Sequence, residues 1–373
     1  MATSLTAPSK HSRPTGTFRV TIASLLFVEL FSGVLQVYFT PLYPALAAEF
    51  GVDVGTVSWA LIAFTLAGGV STPLFARLGD MYGHRRMLRV LLGVVALGSI
   101  LIAVAPNFPT LLVGRVLQGA FPPFLPLMFG LMRSRFSAER TNRGIAYLSS
   151  ILLFGLLVGS AATGLLVLAA GGPGWALWLP AIGTVLGFGL LFLGHTEPAP
   201  DRAGRRVDLP GALLLGLGLV LLLLGFNKGP EWGWGSIRIL APLVIGALVL
   251  VGWVVMELRV REPLADLRFL FRPQLVPVYV VGVSVYFGSV GGQVASSTFM
   301  ALPTKLGYGL GLSGFAIGLV LLPILATAAV MALLTARLGR ALGFAWVMTI
   351  GAGLGALGNV GLIFFHGTIV EFV

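Results

Sequence analysis

The sequence predicts an all-α membrane protein, and three observations carry that prediction. Of its 373 residues, 57% are hydrophobic and only 10% are charged, against roughly 25% charged in a soluble domain. The hydrophobic residues gather in runs of about 20, the length that crosses a bilayer as a helix. The basic residues fall between those runs and favour alternate loops, as they do when cytoplasmic loops are enriched in Lys and Arg. Period-two alternation, the mark of a membrane strand, does not persist through runs of this length.

Eleven runs qualify: 20–39, 56–75, 88–105, 110–132, 144–169, 175–194, 209–226, 239–256, 274–299, 314–336 and 346–365. The first is near 20 residues and contains Glu29. It therefore reads as a span, not as a cleaved leader with an apolar core of about 7–15 residues. We place the N-terminus, with Lys10, Arg13 and Arg19, in the cytoplasm of an inner (cytoplasmic) membrane. Twenty of the 24 Lys and Arg residues then lie inside, against Lys228, Arg238 and Lys305 outside, with Arg115 within the fourth run. Trp175, Trp178, Trp232 and Trp234 fall at the outer interface, where indole rings settle.

The fourth run carries Pro122, Pro123 and Pro126 and should kink. The fifth carries Gly155 and Gly159 in a G-x-x-x-G spacing that permits close helix packing. The stretch 195–208 is rich in Pro, Gly, Arg and Asp and is expected to link two bundles. The organisation expected is a cytoplasmic tail (1–19), a six-helix bundle (20–194), a linker (195–208), two inserted helices (209–257) and a partial second bundle of three helices (258–373).

A repeat crosses that linker. Ala76-Arg77-Leu78-Gly79 with Gly83 recurs as Ala336-Arg337-Leu338-Gly339 with Gly343, an offset of 260 residues. Each copy closes an even-numbered span and leads by a short loop into the next. Internal duplication is a common plan in secondary transporters.

The segment 76–88 (A-R-L-G-D-M-Y-G-H-R-R-M-L) resembles motif A of the major facilitator superfamily, and Arg115 to Gly119 (R-V-L-Q-G) resembles its motif B. Two extra helices between the halves resemble the 14-helix drug:proton antiporter branch. Ala76 stands at the leading Gly of motif A, and Arg340 stands where Asp80 stands in the first copy. Gly155 and Gly159 fit the antiporter motif, with Ser160 at its Pro position. Against a 14-helix member, eleven runs predict a chain truncated three helices short. The resemblance implies two bundles exchanging access to a central cavity, multidrug efflux by proton antiport, a switch loop at Gly79, Asp80, Gly83, Arg85 and Arg86, and proton handling by Arg115.

The residues themselves point to Glu29 for coupling. It lies about ten residues from either end of the first span, and an ionised acid there costs roughly 2.5–3.5 kcal/mol on insertion scales. A group that is neutral when dry and charged when wetted or paired suits proton carriage. Glu29, Ser32, Gly33, Gln36 and Thr40 share one helical face. Arg115, Gln118, Gly119 and Pro122 repeat that spacing on the fourth span. An axial offset of about 7.5 Å, at 1.5 Å rise per residue, predicts a Glu29–Arg115 pair in one state. A glutamate hydrogen-bonded between helices and an arginine snorkelling to headgroups are the competing roles.

Substrate contacts are expected from Gln36, Gln118, Tyr286, Ser289, Gln293 and Asn359. Interhelical hydrogen bonding competes for each of them. Cysteine is absent and His11, His84, His195 and His366 are scattered, so neither a thiol nucleophile nor a metal cluster is expected. No G-x-x-x-x-G-K-[ST] phosphate loop occurs. The formal charge of +11 sits in loops facing lipid headgroups, which argues against nucleic acid as a partner. We therefore expect a monomeric transporter of small apolar or amphipathic compounds, not an enzyme, with no cofactor beyond a proton gradient. A carrier for one defined metabolite and a non-transporting truncated protein remain the alternatives.

Overall fold

The computed structural model describes residues 15–192, 208–260, 263, 266–286, 296, 299–300, 302–304, 309–312 and 314–364. Among these there are helices and no strands. All eleven apolar runs carry helix. Seven of the described helices are long and apolar enough to cross a membrane, so the chain is a multi-pass membrane protein with an all-α fold.

The helices follow the runs with instructive differences. Helix α1 (Thr15–Val37) ends where Pro41 removes the N–H that the Val37 carbonyl needs. A 3₁₀ turn (Thr40–Leu42) and a short helix α2 (Tyr43–Phe50) follow, in a stretch expected to be loop. Each has Pro in its first turn, and Leu46 and Ala47 bury the inner face of α2. Gly51, at φ 63°, stops it. Helix α3 (Val54–Tyr82) starts at Asp53, whose carboxylate accepts the Thr56 N–H at 2.9 Å. The Thr56 hydroxyl, which donates to the other carboxylate oxygen, together with that N–H holds the exposed Asp53 below the usual carboxylate range.

After α4 (His84–Ala103), the fourth run breaks in two, into α5 (Phe108–Gln118) and α6 (Phe124–Arg135). The carbonyls of Gln118 and Gly119 would be served by residues 122 and 123, and both are proline. Phe121 N–H takes the first at 3.1 Å, and the Ser71 hydroxyl takes the second at 3.3 Å. Helix α7 (Ala138–Ala170) has 33 residues. At about 50 Å it exceeds the roughly 30 Å hydrocarbon core. Helix α8 (Gly174–Leu190) is short. Helices α9 (Leu209–Trp232) and α10 (Ile237–Glu257) pack as a hairpin, with α9 against α3. A turn of helix, α11 (Leu267–Leu270), precedes α12 (Val276–Tyr286), which is the start of the ninth run. Helices α13 (Gly314–Leu342) and α14 (Phe344–Phe364) complete the described chain, and α13 rests on α7 and on the Thr40–Leu42 turn.

The repeat has the same local geometry in both copies. Helices α3 and α13 each have 29 residues, and both their ends are displaced by the 260-residue offset of the motif. Gly83 and Gly343 take φ 98° and 85°, a region that side chains avoid. Each donates its N–H to the glycine four residues back, at 2.9 and 3.0 Å, before the next helix starts.

The first half is held by leucine-rich packing around Leu25, Leu35, Leu88, Leu92, Met128 and Leu148, and by close backbone approaches at glycines, among them a seam between α1 and α7. A Cβ on Gly33 would stand 2.8 Å from the Cα of Gly155 and closer still to the Leu152 carbonyl. Gly33→Ala must therefore push α1 and α7 apart. We expect a loss of about 1–3 kcal/mol, typical of overpacking, read as a lower thermal midpoint in detergent. Gly252→Ala, with nothing within 4 Å of its new methyl, should leave the midpoint unchanged or raise it.

Candidate functional site

Two of the buried polar features of the first half lie at different levels along its helices. The first is Glu29 on α1, 1% exposed. Both carboxyl oxygens are buried and accept no hydrogen bond among the described residues. The face expected for it is only partly enclosed: Ser32 is buried, Gly33 is pressed against α7, and Gln36 is exposed with its amide 3.4 Å from the Ser32 carbonyl.

The second feature is a hub around Arg115, near the end of the bundle that carries α2. Arg115 is in the last turn of α5, where the helix dipole favours a cation. It is 1% exposed. Its Nε donates to the Ala60 carbonyl of α3 at 3.2 Å and its Nη1 to Gln118 Oε1 at 2.9 Å. The guanidinium lies between two rings, 4.4 Å from the centroid of Phe39 and 4.1 Å from that of Phe64. Phe64 in turn stacks on Phe121 at the proline break, with centroids 5.0 Å apart. Gln118 Oε1 also accepts the Tyr38 hydroxyl at 3.0 Å, while Gln118 Nε2 donates to Ser99 Oγ of α4 at 2.8 Å.

The expected Glu29–Arg115 pair is not formed. The guanidinium is turned toward Phe39, ten residues beyond Glu29 and so roughly 15 Å along the chain axis at helical rise. No acid among the described residues contacts it; ring quadrupoles, an amide oxygen and a backbone carbonyl stabilise its charge instead. It does not snorkel to headgroups either, because it is enclosed. Gln118, expected to touch substrate, is fully enclosed with three hydrogen bonds made, and belongs to the hub. Sequence reasoning missed Tyr38, Phe39 and Phe64. The available signal was their position beside the Pro41 break and on the face of α3 opposite Arg115.

In the loop expected to act as a switch, Gly79 packs against Leu127 and Gly83 forms the joint between α3 and α4. Asp80 Oδ1 lies 3.3 Å from His84 Nε2, with the Asp80 side chain half exposed. Arg85 is buried and donates to the Leu191 carbonyl at 2.6 Å. Arg89, not singled out from sequence, donates to the same carbonyl at 3.1 Å from Nη2 and lies over the Phe192 ring. The two arginines thus cap the C-terminal end of α8, where cations are favoured. Arg86 is exposed.

Of the remaining substrate candidates, Tyr286 ends α12, while Ser289 and Gln293 lie outside the described residues. Asn359 is exposed on α14, its amide donating to Gly355 of its own helix at 2.8 Å.

The family model of the Major Facilitator Superfamily matches residues 25–372. The chain belongs to the Major Facilitator Superfamily. Its similarity to named members of the superfamily is broad but partial. The tetracenomycin C resistance and export protein of Streptomyces glaucescens is 29% identical over 288 residues, 77% of this chain and 52% of that protein. A lincomycin resistance protein of Listeria monocytogenes is 27% identical over 277 residues, 74% of this chain and 57% of that protein. The chain spans about half the length of the curated relatives it matches. A crystal structure of a POT family transporter in complex with a thioalcohol-conjugated peptide superposes with a TM-score of 0.59 at 16% identity, covering 94% of this chain and 79% of that one. At that identity it establishes the superfamily's fold alone.

The hub makes a direct prediction. Gln118→Leu leaves Arg115 Nη1, the Tyr38 hydroxyl and the Ser99 hydroxyl without that partner. Each such loss in a buried site costs about 1–3 kcal/mol. We expect a fall in thermal midpoint well beyond that of Asn359→Leu, whose one bond is exposed, measured on the same detergent-purified preparation.

Proposed function

We propose that this chain works as a proton-coupled secondary transporter, exporting small apolar or amphipathic compounds across the cytoplasmic membrane by alternating access. Its N-terminus and arginine-rich loops would face the cytoplasm. The observation that carries this reading is Glu29, a carboxyl buried near the middle of a membrane helix with no partner for either oxygen among the described residues. Intramembrane acids are rare and mark ion or proton pathways. An enclosed carboxyl without a partner suits the neutral acid, since burying an unpaired charge is costly. Opening the same face to water lets it release the proton. The exposed Gln36, two turns along, lies on the route by which water and substrate reach it.

The export direction and compound class rest on the relatives. The tetracenomycin C protein is named for resistance and export, and the Listeria protein for lincomycin resistance. Within this reading Arg115 keeps the first half assembled and does not exchange the proton. The glycine joint at Gly83, the Asp80–His84 contact and the Arg85 cap form the hinge between α3 and α4.

Reconstituted vesicles loaded with a pH indicator test this reading, with ethidium as an amphipathic probe. Wild type should move ethidium against an imposed pH gradient with matching proton movement. Glu29→Gln, which stays neutral, should lose gradient-driven flux by at least about tenfold, while exchange of ethidium between two equal pools persists. Gradient-driven flux that survives Glu29→Gln removes Glu29 from the mechanism.

A further inference from the structure

The hub and one of the contacts between the two halves, the smaller one beside the α7–α13 packing, meet at one short stretch of chain, residues 38 to 43. Tyr38 is fully buried at the end of α1 and donates its hydroxyl to Gln118 Oε1 at 3.0 Å. The next residue, Phe39, covers one face of the Arg115 guanidinium. The turn that follows, Thr40–Leu42, packs against α13 of the second half. Tyr43 then closes onto the Phe39 ring, edge to face at 5.6 Å.

This stretch is a single 3₁₀ turn between α1 and α2, not a continuation of either helix. Pro41 ends α1, and the turn is held by the Tyr38 N–H to the Val34 carbonyl and the Leu42 N–H to the Phe39 carbonyl, each 3.0 Å. Of the side chains there, the Tyr38 hydroxyl is the one hydrogen-bonded to a different span of the first half among the described residues, at Gln118 and beside Arg115. The Phe39 contact is electrostatic but non-directional, and it tolerates sliding over the ring. A buried hydrogen bond does not tolerate sliding.

We propose that Tyr38 is a positioning residue: its hydroxyl ties the Thr40–Leu42 turn to the Arg115–Gln118 hub and so keeps the α2 end of the molecule closed against α13. The inference deepens the alternating-access reading and rests on it. When the tie is made, the turn is fixed to α3, α4 and α5 through one amide, and α13 has a rigid seat. When it is broken, the turn loses its hydrogen bond to the hub and keeps the Phe39 ring contact with Arg115, and the seat loosens while the hub keeps its Ser99 and Ala60 bonds. Ser99 is the natural control, because it bonds the same amide from α4 and its hydrogen bonds among the described residues go to Val95 and Gln118, not to α1 or the turn.

The chain contains no cysteine, so paired labels can be introduced into it directly. Spin labels at Glu49→Cys on α2 and Leu319→Cys on α13, both exposed, report the distance across the contact in lipid nanodiscs. Tyr38→Phe preserves the ring and removes only the hydroxyl. It should raise the long-distance fraction roughly fivefold, the change that follows from losing a bond of about 1 kcal/mol. Ser99→Ala should leave the distribution as in wild type, even if its thermal midpoint falls. An unchanged distribution in Tyr38→Phe overturns the tie, and so does an equal shift in Ser99→Ala. A wild-type chain confined to one distance at every pH and probe concentration speaks against alternating access itself, which separates that failure from failure of the tie.

Discussion

An arginine enclosed within a membrane bundle, with no carboxylate beside it among the described residues, sets the terms for the first half of this molecule. Water cannot solvate Arg115, so protein groups must. Two ring faces, a backbone carbonyl and an amide oxygen do so, and they come from different helices. Phe39 follows α1, Ala60 and Phe64 belong to α3, and Gln118 is shared with Tyr38 and with Ser99 of α4. Placing one cation therefore fixes the mutual positions of α1, α3, α4 and α5 near the α2 end. Desolvation strengthens the ring contacts, which reach about 2 kcal/mol or more in dry sites.

The break between α5 and α6 belongs to the same arrangement. Two consecutive prolines release carbonyls that a bilayer cannot hydrate. A tightened turn satisfies one, and Ser71 on α3 satisfies the other. Phe121, in the break itself, stacks on the ring that covers Arg115. The discontinuity thus lets α5 end beside the hub, with its dipole assisting the cation, before α6 begins at Phe124. At the opposite end the logic is similar but simpler. Arg85 and Arg89 converge on the carbonyl of Leu191, just past the last residue of α8, so that helix end too is satisfied by guanidinium groups.

Much of this architecture was legible in the sequence. Apolar run length located the spans, because a bilayer demands about 20 residues and leaves few alternatives. The duplicated Ala-Arg-Leu-Gly with its later glycine marked a joint whose backbone geometry recurs in both copies. The depth of Glu29 followed from counting residues. Other features depended on facts no linear count contains. Helix α2 is eight residues long, too short for a periodic signal to stand out. The pairing of Glu29 with Arg115 was inferred from axial position alone, yet a long side chain can turn either way along its helix. Its direction was decided by Phe39 and Phe64, which approach from other elements. The role of Arg85 likewise depends on where α8 ends, about a hundred residues downstream.

The separation of the two buried groups has a consequence for coupling. A carboxylate and a guanidinium in contact would stabilise each other's charge, and removing either would leave the other unpaired at a cost of 3–5 kcal/mol. Such an acid resists protonation, because giving up its charge strands the arginine. Among the described residues the arginine's charge is stabilised without an acid, and the acid has no cation to abandon. Under the proposed mechanism Glu29 can then gain or lose its proton as water reaches it, with no compensating rearrangement at Arg115. Assembly of the first half and carriage of the proton are thereby assigned to different residues. What must connect them is motion of α1, the helix that carries Glu29 in its middle and presents Tyr38 and Phe39 to the hub at its end.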